Sequence, residues 1–151
     1  MTARCKCCGQ PTKVRSTAEH NHAFALVAAA FAHWPEAHEF QPESAEHLRH
    51  WLTCKAGHVN VKTLDTEFCD EQPAVAKLTA IAIEGALAAA KSSAFVRVRG
   101  DKIAIFTPKS WKVKLCKTNQ FRDLHSAIAE IIGAEVGVPA EQLLKKHERA
   151  A

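Results

Sequence analysis

The apolar positions change period along the chain, and each change predicts an element. Phe24, Val27, Ala28, Phe31 and Trp34 recur at helical spacing. Ser16 or Thr17 suits the N-cap of that helix, and Pro35 ends it. Leu48, Trp51 and Leu52 form a second helical stripe after the cap candidate Ser44, with Gly57 at its C-terminal end. Val59 to Phe68 alternates loosely and predicts a strand. Asp70 to Pro73 is a turn with helix-start character, and an Ala-rich helix follows to about Lys91, in which Leu78, Ile81, Ala82 and Gly85 are expected to face the core.

The clearest period-2 pattern comes next. Phe95-Val-Arg-Val-Arg99, the turn Gly100-Asp101 and Lys102-Ile-Ala-Ile-Phe106 read as a hairpin. Trp111-Lys-Val-Lys-Leu115 alternates again and predicts a further strand. Thr118 or Asn119 caps a helix carrying Phe121, Leu124, Ile128, Ile131 and Ile132; Gly137 and Pro139 end it, and a short charged helix spans Ala140 to Arg149. The expected architecture is α+β: a small antiparallel sheet, hairpin 95–106 plus strand 111–115, packed against about four helices. Residues 1–151 read as a single domain, with a Cys-rich segment over 1–13.

Composition excludes some classes. An apolar fraction of 47% and a charged fraction of 24% are ordinary for a globular chain. The richest apolar run, Ala74 to Ala90, contains Lys77 and Glu84, so a packed helix is expected and no membrane span. The opening MTARCKCCGQ lacks the apolar core of a secretion signal, so a cytoplasmic protein with reduced thiols is expected.

Net charge is only +4, but it is segregated. From Phe95 to Arg122 the one acid is Asp101, against Arg97, Arg99, Lys102, Lys109, Lys112, Lys114, Lys117 and Arg122. Alternation puts Arg97 with Arg99, and Lys112 with Lys114, on one side of their strands. If the two strands share a sheet, four cations line one face. Such a face neutralises phosphates and releases counterions. Phe95 or Trp111 would stack on unpaired bases if exposed, which favours single-stranded DNA. The competing reading is a solvated sheet face that keeps the protein soluble, with Trp111 in the core.

Cys5-x-x-Cys8-Gly9 is half of a zinc knuckle, and Cys54 with His58 is the best-spaced second pair for a structural zinc ion. Cys7, Cys69, Cys116, His20 and His22 are reserve ligands. Buried free thiols are the plainer explanation of these cysteines, and surface positions that of the other histidines. No phosphate loop, nucleophile elbow, HExxH motif or dinucleotide fingerprint is present. No catalytic residue set emerges. Asp65, Asp70 and Glu71 are the carboxylates a small metal-dependent nuclease would use, although Asp70-Glu71 also suits a helix N-terminus.

Val14-Arg-Ser-Thr-Ala-Glu-His-Asn-His22 followed by Phe24, Phe31 and Trp34 resembles the opening of a group of uncharacterised phage and prophage proteins. Glu39 to His58, Pro108-Lys-Ser110 and Ala134 to Leu144 resemble its later parts. That group is distantly similar to the lambda Orf (NinB) recombination mediators. The resemblance implies a non-enzymatic accessory protein of recombination or replication that binds single-stranded DNA, works beside a phage or host recombination protein and forms a homodimer. The Cys-rich start lies outside that pattern. A protein-interaction module that inhibits a host factor, as anti-defence proteins do, is the alternative, beside the nuclease.

Overall fold

A computed structural model describes residues 17–65, 73–100, 102–112 and 118–150. The fold is α+β. In chain order its elements are α1 (Thr17–Ala32), α2 (Ala45–Lys55), β1 (Val59–Asp65), α3 (Pro73–Ala89), β2 (Phe95–Arg99), β3 (Lys102–Pro108), α4 (Thr118–Val136) and α5 (Ala140–Ala150). They fall into two compact units. One is helical, formed by the segments up to Ala45 and from Ser110 onward; the other, Glu46–Lys109, holds the sheet.

In the helical unit, α1 packs on α4 and α5. The side of α1 that is covered is made of Ala23, Leu26, Val27, Ala29 and Ala30. These small side chains let a neighbouring helix come close. Phe24 and Phe31, expected inside from their spacing, are 42% and 37% exposed. The α4 stripe is as expected, with Phe121, Leu124, Ile128 and Ile132 buried and Ile131 half-buried. Gly137 ends α4 at φ 74°, its N–H donating to the Gly133 carbonyl, a left-handed cap.

In the sheet unit the strand order is β1-β3-β2, antiparallel throughout. The hairpin forms as the alternation predicts, turning through Gly100 at φ 61°. The third strand differs from expectation. It is β1, the Val59-Asn-Val-Lys-Thr-Leu-Asp65 segment, and the chain leaves the sheet at Pro108. Trp111 and Lys112 are not in a strand, and residues 113–117 lie outside the described residues. The reason is the indole of Trp111. It is buried in the helical unit, with ring centroids 5.4 Å from Phe24 and 5.9 Å from Phe121. Burial of so large a ring outweighs a few ladder hydrogen bonds.

α3 packs on β2 and β3. Its covered side is Ala76 and Ala80, with Ile83 and Leu87 half-buried one and two turns on. Leu78, Ile81, Ala82 and Gly85, expected to face the core, point the other way and are exposed. This helix is apolar nearly all round, so its periodicity carries no information about which side the sheet takes.

Candidate nucleic-acid interface

Residues directly opposite in a ladder share a face. The register pairs Arg99 with Lys102, Arg97 with Ala104 and Phe95 with Phe106. On the other side of β3 it pairs Asp65 with Lys102, Thr63 with Ala104 and Val61 with Phe106. One face of the sheet therefore carries Arg97, Arg99 and Lys102 beside Ala104, Phe106, Thr63 and Val61. Ile103, fully buried, marks the opposite face, which α3 covers.

All three cations are exposed. Arg99 and Lys102 sit directly across from each other, an arrangement of like charges that costs stability. Lys102 is partly offset by Asp65, with Nζ to Oδ1 at 3.6 Å and both side chains more than half exposed. A pair so exposed contributes little, about 0–1 kcal/mol. No described acid pairs with Arg97 or Arg99. Phe95 carries the His47 ring stacked on it, centroids 5.6 Å apart and 6° from parallel. One side of Phe95 is thus already taken, which moves the aromatic end of this face toward its partner Phe106.

Of the remaining predicted cations, the described ones, Lys109, Lys112 and Arg122, are not part of these strands. Lys109 is exposed just past β3, where its N–H donates to the His58 carbonyl. Lys112 is exposed outside the sheet; Lys114 and Lys117 lie outside the described residues. Arg122 belongs to α4 and donates through Nε and Nη2 to Glu19 Oε1 at 2.9 and 2.7 Å. That guanidinium is committed to a carboxylate on α1. The set of four cations expected from strands 95–99 and 111–115 is therefore not the one the sheet makes. Lys102 stands on this face, and Lys112 does not belong to the sheet. The loose alternation of 59–65 was the available signal for the third strand, and Val61 and Thr63 are the face residues it contributes.

Cys5 and Cys8 lie outside the described residues. Cys54 is half-buried near the end of α2, where burial pushes its thiol up to about 11, so it is protonated near neutrality. His58 follows the helix as the last residue of its cap: Gly57, at φ 79°, donates to the Cys54 carbonyl, and the His58 N–H donates to the Thr53 carbonyl. Among the described residues no group of three or more His, Cys, Asp or Glu side chains is placed to hold a metal ion. Of the nuclease carboxylates, Asp65 faces Lys102, and Asp70 and Glu71 are outside the described residues.

The helical unit has its own histidine pair. His22 Nδ1 and His125 Nε2 are 3.3 Å apart, with His125 stacked on Phe121. Burial, then the neighbouring His22, holds His125 below the ordinary imidazole range, against the opposing pull of Glu19. On α2, burial and then the adjacent Arg49 do the same to His50.

No helix among the described residues is long and apolar enough to cross a membrane. No family model, no curated protein and no solved structure matches the chain.

Proposed function

We propose that this protein binds nucleic acid, preferring single-stranded DNA, through the sheet face that carries Arg97, Arg99 and Lys102. The observation that carries the reading is the register, which sets Arg97, Arg99 and Lys102 together on an exposed face at the cost of one cross-strand repulsion. An anionic backbone laid over that face relieves the repulsion and releases counterions. Phe106, level with Phe95 and Val61, offers an apolar surface to an unpaired base. Arg97, Arg99 and Lys102 contact phosphate, with Lys109 just past the sheet as an auxiliary cation. The resemblance to phage proteins adds the context, a non-enzymatic accessory of recombination or replication.

The test is a titration of labelled single-stranded and duplex DNA by fluorescence anisotropy at two salt concentrations. Binding that weakens steeply with salt and favours the single strand is expected. Absence of binding at low salt overturns the proposal. Charge reversal at Arg97 and Arg99 with unchanged affinity removes the sheet face from it.

A further inference from the structure

Helix α3 has 17 residues and two charges, Lys77 and Glu84. A helix apolar on every side belongs in a protein interior. Here, among the described residues, only one side is covered. The opposite side carries Leu78, 65% exposed, and Ile81, 63% exposed, together with Ala82 and Gly85. At Gly85 an added Cβ would meet nothing within 4 Å. A mid-helix glycine costs about 1 kcal/mol against alanine, and nothing among the described residues uses the room it leaves. Leu78, Ile81, Ala82 and Gly85 follow the i, i+3, i+4, i+7 spacing of a helix-pairing seam.

The two charges identify the occupant. Seven residues are nearly two whole turns, so Lys77 and Glu84 stand on the same flank of that seam, two turns apart. When two helices run antiparallel, identical flanks face each other. Lys77 of one copy then lies level with Glu84 of the other, and the two-fold symmetry repeats the pair at the far end. In a parallel pair this flank would face the opposite, uncharged one, which holds Thr79 and Ala86. The charge pattern of α3 is thus complementary to itself in one direction only. We infer that the exposed side of α3 is a self-association surface, on which a second copy of this chain docks through an antiparallel α3–α3 pair closed by two Lys77–Glu84 ion pairs. The residues lie on the side of the sheet away from Arg97 and Arg99, so this pairing does not rest on the nucleic-acid reading.

A seam of one helix per protomer falls at the small end of specific interfaces. A reversible monomer–dimer equilibrium is therefore expected, and sedimentation equilibrium of the full chain from micromolar to millimolar concentration measures it. Ile81→Glu should raise the dimer dissociation constant well over tenfold. Lys77→Glu and Glu84→Lys, each at an exposed position that leaves the fold intact, should each raise it about fivefold to tenfold by opposing like charges. The double variant Lys77→Glu/Glu84→Lys should restore the original value to within about twofold. A chain that stays monomeric throughout overturns the inference, as does a dimer insensitive to Ile81→Glu. A double swap no better than its single variants overturns the antiparallel pairing.

Discussion

In the helical unit, Arg122 places two nitrogens on one oxygen of Glu19 and the Trp111 indole lies buried among aromatic rings. In the sheet unit, Arg97 and Arg99 stand exposed with no described acid beside them, and apolar Leu78 and Ile81 stand exposed on α3. The first unit pairs Arg122 and buries Trp111 from within. The second leaves both kinds open, on opposite sides of one small sheet. Arg122 is held by a carboxylate of its own unit, whereas Arg97 and Arg99 stand exposed two residues apart on one face, which is what the proposed contact with a polyanion requires.

The sharpest way to break that comparison is to remove a group of each kind. Trp111→Ala should cost about 3–5 kcal/mol in chemical denaturation, as expected for a large buried ring. Alanine at Arg97 and Arg99 should change stability by less than about 0.5 kcal/mol, since surface substitutions seldom do more. If the arginine variant unfolds the protein instead, the sheet face is structural and the contrast disappears.

Binding gives the next largest effect. Charge reversal at Arg97 and Arg99 should weaken single-stranded DNA binding at least tenfold. Their replacement by alanine should lower the salt slope by roughly 1.4, two phosphates at about 0.7 each. Arg122→Gln should leave affinity within about twofold and lower stability by up to about 1 kcal/mol, the range of an exposed pair. Equal losses of affinity for the two sites would show that the Glu19 pairing does not keep Arg122 from the ligand.

The histidines provide a smaller contrast. His125 and His50 are both held below the ordinary imidazole range in the folded state. The unfolded chain then binds more protons than the folded one just below that range. Their contribution is fully present above pH about 6.5 and is lost as pH falls. The unfolding midpoint should drop between about pH 7.5 and 5.5, and His125→Asn with His50→Asn should flatten the decline. A slope unchanged in the double variant would assign it to other groups.

The smallest effect concerns the end of α3. Lys91 occupies the left-handed position, φ 51°, with its N–H bonded to the Ala88 carbonyl and the Ser92 N–H to that of Leu87. Glycine is the usual residue there. Lys91→Gly should stabilise the sheet unit by about 0.5–1 kcal/mol, the relieved Cβ strain less the added freedom of the unfolded chain. A loss of stability on denaturation would mean that the lysine side chain makes a compensating contact.

Local chemistry determined a good deal from the sequence by itself. Pro35, Gly57, Gly137 and the Thr118 region mark helix ends because caps and breakers act within one turn. The hairpin was legible because alternation and a Gly-Asp turn occur together over twelve residues, and with it the fact that Arg97 and Arg99 share a side. Only the tertiary structure decided the rest. Two segments carry alternation, and the looser one, 59–65, is the third strand, while burial of Trp111 beside Phe24 and Phe121 takes 111–112 elsewhere. Glu19 captures Arg122 across 103 residues of sequence, a distance over which no local pattern speaks. The outward side of α3 was hidden for the opposite reason: with apolar residues all round, every side looks like core until a sheet covers one of them.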